Sequence, residues 1–240
     1  MNEYSGESLR LDIVGIGHGE RHEVNPPAGE EAIAVLLGGT VRWCTTSATR
    51  GSVFDQRASA AYVPPGHTLR VEAGNASEIA VVTTLGAGLE PSAETIVTVG
   101  PEDVVTHERG SPGWRRSVYE VAVDQVPARV LMVGETVNAP GEWSSYPPHK
   151  HDGRDGEPAL EEVYYYRFDR PNGFGFQGLY DGDGGAERAV FLRDRSVVGF
   201  THGYHPVCAA PGYRVYYLWA LAGSPRRLAM HEDPAHTWLH

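Results

Sequence analysis

Short apolar or alternating runs recur along the whole chain, each closed by turn residues. Residues 32–37 end at Gly38-Gly39, residues 60–63 at Pro64-Pro65-Gly66, and residues 79–84 shortly before Gly86. Their β-branched content and the Gly or Pro at their bounds predict strands. The rhythm returns at 129–133, 163–168 before Asn172-Gly173, 189–192, 196–200 and 214–221. Long 3.6-period segments are absent. The best helical candidate is a turn or two at 101–105, where proline takes a plausible first helical position. So many short strands at close spacing predict an all-β sandwich or barrel.

Composition narrows this further. The chain has 240 residues with 29 Gly and 17 Pro, a profile of turns and short elements. The length suits one large domain or two of about 100–120 residues, either of which can bury a real core. A weak internal echo favours two. Leu36-Leu37-Gly38-Gly39 followed by Val63-Pro64-Pro65-Gly66-His67 resembles Tyr165-Tyr166-Arg167-Phe168 followed by Phe200-Thr201-His202-Gly203-Tyr204-His205. The Gly/Pro/Arg-rich stretch 108–116 gives the boundary, dividing the chain into 1–112 and 113–240. A net charge of −11 argues against nucleic acid and anionic membranes as partners, since both recruit basic patches. Two cysteines cannot build a disulfide framework, and the opening residues MNEYSGESLRLDI do not read as a signal peptide. No apolar run approaches the roughly 18 residues that span a bilayer. The expectation is a cytoplasmic protein.

The chemistry concentrates in Pro147-Pro148-His149-Lys150-His151-Asp152 and Leu160-Glu161-Glu162-Val163-Tyr164-Tyr165-Tyr166. On an extended chain, residues two apart share a face, so His149 and His151 can present both imidazoles to one point while Lys150 faces away. The same parity groups Glu162 with Tyr164 and Tyr166, and Glu161 with Val163 and Tyr165. A Gly/Asp-rich loop at 152–158 lets the second strand return beside the first. Two imidazoles and a carboxylate then make a site for a divalent transition metal with positions left open for water or substrate. His205, after the Gly203 turn, is the natural fourth ligand. A bare His-x-His is a weak motif; its weight here comes from the Glu-bearing strand and the later Gly/His turn.

These motifs resemble the cupin pattern. More specifically, Gly141-Glu142-Trp143-Ser144-Ser145-Tyr146-Pro147-Pro148-His149-Lys150-His151-Asp152, Leu160-Glu161-Glu162-Val163-Tyr164-Tyr165, Gly173-Phe174-Gly175-Phe176-Gln177 and Gly203-Tyr204-His205-Pro206-Val207 resemble the 5-deoxy-glucuronate isomerase family of inositol catabolism. The resemblance implies a bicupin, two jelly-roll-like β-barrels packed together. It implies that 113–240 holds one divalent metal (Zn, Mn or Fe, with Zn favoured) on His149, His151, Glu162 and His205. The chain departs from the family at Thr201-His202, Gly178 and Trp219, positions that bear on the substrate pocket and not on the ligands. The half 1–112 has only His67 at the echo of His205, and is expected to be a barrel without a metal site.

The implied reaction converts 5-deoxy-D-glucuronate to 5-dehydro-2-deoxy-D-gluconate. An aldose–ketose isomerase needs a Lewis acid for the developing negative charge and a group that shuttles a proton. Glu162, Tyr164 and Tyr166 are the candidate catalytic residues. The substrate carboxylate needs a cation, for which Lys150, Arg154, Arg167 and Arg193 are candidates, with Gln177 as a hydrogen-bonding residue. Taken singly, each cation is more ordinarily solvated surface charge. The competing functions are another cupin enzyme, such as a non-haem iron oxygenase, and a non-catalytic sugar-acid-binding cupin. A homo-oligomer is compatible with either. Three further features read as structural. Gly173-Phe174-Gly175-Phe176-Gln177-Gly178 matches a dinucleotide fingerprint only literally, because no helix follows. Asp181-Gly182-Asp183-Gly184 reads as a hairpin tip, and Cys208 as a small buried residue. His231, His236 and His240 share no element spacing.

Overall fold

The computed structural model describes residues 2–91, 93–182 and 184–239, so that Asp183 of the hairpin tip and His240 of the C-terminal histidines lie outside it. The protein is almost entirely β. Among the described residues, the helical element is a short 3-10 turn at Pro234–Leu239. Among the described residues, no helix is long and apolar enough to cross a membrane. The chain divides into two compact units, one of Met1–Val105, Tyr119–Gly134 and Ala220–Ala222, the other of Thr106–Val118, Glu135–Trp219 and Gly223–His240.

The first unit is built on antiparallel strands whose alternation is visible in their burial. Leu9–Ile16 buries Leu9, Leu11 and Ile13 and pairs along its whole length with Ser77–Thr84. The run read as ending at Gly38-Gly39 instead continues as one strand, Ala32–Trp43. The register shifts between Leu36 and Gly38, and Gly39 takes φ 98° beside Ser77, so the glycines bend the strand where they were expected to stop it. Beyond the bend the strand pairs with Thr46–Arg50 and Leu69–Ala73. Trp43, Leu36, Leu69, Val71 and Ile79 fill the core between these strands.

One buried polar group organises an edge of this unit. The Glu31 carboxylate is fully buried and accepts the backbone N–H groups of Arg129, Val130 and Leu131 as well as the Tyr62 hydroxyl. Burial and the Glu31 charge together push the Tyr62 phenol well above its ordinary range. This explains why the strand predicted at 129–133 starts only at Leu131: the preceding residues are turned toward the carboxylate.

The helical turn predicted at 101–105 does not form. Asp103 closes a turn on Gly100, its N–H donating to the Gly100 carbonyl at 3.1 Å and its Oδ2 accepting the Gly100 N–H at 2.8 Å. β-Branched Val105 and Thr106 then enter the strand Val105–Arg109. Proline at the first position suits a tight turn as well as a helix, and nothing downstream sustains a second helical turn.

The site is framed by two sheets. One orders its strands Val105–Arg109, Arg116–Ala122, Leu131–Asn138, Val215–Ala222, Glu161–Phe168 and Val197–Phe200. The other orders them Trp143–Ser144, Val207–Ala209, Phe174–Tyr180 and Glu187–Arg193. The Tyr166 hydroxyl of the first donates to Gln177 Oε1 of the second at 2.9 Å, which places both side chains in the space between them. A two-stranded ribbon, His149–Lys150 with His231–Glu232, completes the frame.

Candidate metal centre

Three of the four expected ligands converge. One ligand atom from each of His151, Glu162 and His205 lies within 4.8 Å of the others, and all three residues are buried. His151 Nε2 stands 2.8 Å from Glu162 Oε2, and His205 Nε2 3.5 Å from the same oxygen. The His149 ring meets His205 edge-on at a centroid distance of 4.8 Å and remains partly exposed. Phe200 backs the group, 4.4 Å from the His205 ring and paired with Glu162 in the strand register.

The local backbone decides which ring nitrogens face inward. His151 Nδ1 donates to the Leu160 carbonyl at 3.0 Å, and His205 Nδ1 to the Gly203 carbonyl at 3.1 Å. Both bonds fix the proton on Nδ1 and leave Nε2 to ligate, the arrangement that supports metal-bound histidine. Gly203 takes φ 83°, and a Cβ there would lie 2.7 Å from the Tyr180 carbonyl oxygen, so the turn that aims His205 requires glycine. His205 Nε2 is a buried polar atom without a hydrogen-bond partner. An orphan of this kind, facing a buried carboxylate and a second imidazole, fits a divalent cation, and the donor set of nitrogen and oxygen suits a transition metal.

Electrostatics agree with this fit. Burial, with His151 and Arg116 adding to it, pushes the His149 imidazole down to about 3. Burial beside two other imidazoles holds His205 well below its ordinary value. Both rings are therefore neutral at neutral pH, as ligands must be. Burial opposes the charged form of His151, yet the Glu162 carboxylate outweighs it and raises that group. Burial likewise raises Glu162, opposed by His151 and the Tyr164 hydroxyl. The His151 Nε2 and Glu162 Oε2 atoms face one another at 2.8 Å, across the place a cation would take.

Tyr164 lies against this cluster, its ring 6.0 Å from His205 and 4.6 Å from Tyr217, and its hydroxyl 3.1 Å from Ser145 Oγ. Burial, with the Glu162 charge, keeps its phenol neutral far above pH 7. Tyr166 is fully buried and committed to Gln177, whose Nε2 has no partner. Cys208 sits on the strand Val207–Ala209, outside the converging ligand atoms.

The cations singled out in the sequence lie elsewhere. As parity required, Lys150 faces away from the imidazoles, where its ammonium meets Asp152 at 2.6 Å, Asp155 at 2.7 Å and Glu157 at 3.0 Å. Its charge holds this loop together. Arg154 stands 3.6 Å from Asp152, and Arg167 pairs with Asp194 at 2.9 Å. The cation that sequence reasoning missed is Arg116, whose charge is felt at His149, Tyr164 and Tyr217. It lies 33 residues before His149, on a strand that nothing local connects to the motif.

An all-β chain that gathers His151, Glu162 and the Gly-turn His205 between its sheets, with the His149 ring against His205, has a cupin fold and a residue set fit to hold a divalent metal. Its fold matches a crystal structure of an oxalate decarboxylase from Lactobacillus farciminis with a TM-score of 0.69 at 13% identity, covering 95% of this chain and 80% of that one. The likeness is greater to the crystal structure of an IolB-like protein from Salmonella typhimurium: TM-score 0.87 and 30% identity, over 97% of this chain and 90% of that one. The sequence is 36% identical over 220 residues to the 5-deoxy-glucuronate isomerase of Geobacillus kaustophilus, spanning 88% of this chain and 78% of the relative. It is 36% identical over 199 residues to the enzyme of the same name from Bacillus subtilis, spanning 80% and 70%. The model of the KduI/IolB family matches residues 2–239, and the chain belongs to that family.

Proposed function

We propose that the protein is a metal-dependent isomerase that converts 5-deoxy-D-glucuronate to 5-dehydro-2-deoxy-D-gluconate in the cytoplasm, as a step of inositol degradation. The observation that carries this reading is the convergence of His151, Glu162 and His205, each imidazole with Nδ1 held by a backbone carbonyl, in a chain whose relatives bear that isomerase name. His149, His151, Glu162 and His205 hold the cation, with zinc favoured because it accepts this borderline nitrogen and oxygen set without redox activity. Bound there, the metal supplies Lewis acidity toward a carbonyl and its neighbouring hydroxyl.

The chain's own residues do the rest. Tyr164 is neutral and poised beside the ligands, so it serves as an O–H donor to the carbonyl oxygen that gains charge in the reaction, its own oxygen hydrogen-bonded to Ser145 Oγ. Gln177 offers an unpartnered Nε2–H to a sugar oxygen, its Oε1 already fixed by Tyr166. The strands Glu161–Phe168 and Val215–Ala222 bury Tyr164, Tyr166 and Tyr217 as an aromatic wall that keeps bulk water from the enediol.

Proton NMR of the purified protein with 5-deoxy-D-glucuronate, with and without chelator, tests this reading. The expected outcome is loss of the aldehyde-form signals and growth of the 2-keto product, stopped by the chelator. Product formed only with oxygen consumption would assign an oxygenase, and sugar-acid binding without turnover a binding protein.

A further inference from the structure

Arg116 opens the strand Arg116–Ala122, and the sheet order runs from it through Leu131–Asn138 to Val215–Ala222 and Glu161–Phe168, which carry Tyr217 and Tyr164. The guanidinium lies over the Trp114 ring, 5.6 Å from its centroid, and Nη1 donates to the Trp114 carbonyl at 3.3 Å. Trp114 in turn meets Tyr146 edge-on at 5.8 Å, three residues before His149. The group is thus pinned on one side by an indole that packs against the segment carrying His149, where the guanidinium charge is felt.

What distinguishes Arg116 is the absence of a counter-ion at a half-buried position, whereas Arg193, over the Phe191 ring, is exposed. Among the described residues, no carboxylate lies within ion-pair distance of it; Glu232 acts on it only at longer range, and Arg109 adds positive charge. Lys150, Arg154 and Arg167 each have an acid at 3.6 Å or less. A half-buried guanidinium with unused planar donors is costly to keep unless an anion joins it. Its charge reaches His149, Tyr164 and Tyr217, so an anion that joins it there is a group of the molecule the site binds.

We infer that Arg116 receives the carboxylate of the substrate and is the residue through which the site selects sugar acids over neutral sugars of the same shape. The inference rests on the sugar-acid reading above and adds the group that recognises the acid. With the carboxylate on Arg116, the other end of the sugar extends toward His149, the ligands and Tyr164.

The test is calorimetric binding of D-glucuronate and of its neutral counterpart D-glucuronamide to the metal-loaded protein and to Arg116→Gln. The wild type is expected to prefer the acid. Arg116→Gln should weaken acid binding by roughly 10- to 100-fold, the range for a hydrogen bond to a charged group, and leave the amide unchanged. Arg116→Met, which keeps the apolar stem over Trp114, gives the same readout should the Gln variant fail to fold. Undiminished acid binding in both variants, or a wild type that does not distinguish acid from amide, overturns the assignment. Turnover is measured separately. A wild type that binds the acid through Arg116 but isomerises no uronate refutes the isomerase reading while supporting the carboxylate site.

Discussion

His151 Nε2 and Glu162 Oε2 face one another at 2.8 Å, and the second nitrogen of His151 is anchored on the Leu160 carbonyl. A cation entering this space competes with protonation of the pair. Because His151 is held above its ordinary value in the absence of metal, acid favours the proton and alkali the metal.

Metal occupancy, read by elemental analysis after dialysis at a series of pH values, should therefore fall on acidification through the histidine range. His151→Ala should lose the metal at neutral pH. Retention of full occupancy by that variant would remove His151 from the ligand set.

Glu162→Gln and Tyr164→Phe separate ligand from shuttle. A lost proton-transfer group costs typically about 10²–10⁴-fold, and loss of the Lewis acid with its ligand costs more. Turnover should fall by about 10²-fold in Tyr164→Phe and more steeply in Glu162→Gln, with the β circular dichroism of both unchanged. Metal content should drop only in the Glu162 variant. Equal turnover loss in the two, with equal metal content, would contradict this division of roles.

The Lys150 cluster makes an acid-labile contribution to stability. Burial works to raise Asp152, but the Lys150 ammonium and the Gly203 and Arg154 N–H groups override it and hold the carboxyl down to about 2. The Lys150 hydrogen bond lowers Asp155, and Lys150 prevails over burial in lowering Glu157. Depressed carboxylates stabilise the fold above their unfolded values of about 4, and that stability is lost as pH falls toward the folded values. The melting temperature of the wild type should decline between about pH 5 and pH 2. Lys150→Met leaves three acids facing one another without their cation and should cost about 3 kcal/mol at pH 7, a drop on the order of 10 °C. The loss should shrink in acid, where the orphaned carboxylates protonate; a loss independent of pH would show that packing, not charge, is responsible.

Chelation should affect folding less than activity. The first unit closes a hydrophobic core that includes none of the ligands, as the Trp43 cluster shows. Metal-free protein is expected to keep its β circular dichroism at room temperature, whereas small domains stapled by a metal unfold. Unfolding on chelation would make the centre structural.

The two-residue period of a strand made much of this legible. It placed His149 and His151 on one side and Lys150 on the other, and grouped Glu162 with Tyr164, because neighbouring side chains on an extended chain must alternate. Sequence pattern was a poorer guide wherever a remote group intervened. Glu31, about 100 residues upstream, captures the backbone at 129–131 and delays a strand, and the glycines at 38 and 39 bend a strand that their identity seemed to end. Arg116 was hidden for the same reason: nothing local in the sequence joins its strand to the ligand motif, and its link to His149 is made only through the fold. The neutralisation of Lys150 was readable in principle, since Asp152, Asp155 and Glu157 follow it within one short loop.

That loop also reaches the metal side. Asp152 Oδ2 accepts the Gly203 N–H at 3.3 Å, while the Gly203 carbonyl holds His205 Nδ1. An acidic turn with an exposed tip would ordinarily be free to drift there, since most surface polar residues can be exchanged at little cost. Here one of its carboxylates restrains, through a single peptide unit, the imidazole that completes the ligand set. The turn is therefore part of the centre's alignment, and an exchange there that left every ligand in place would still slacken the grip on the ion.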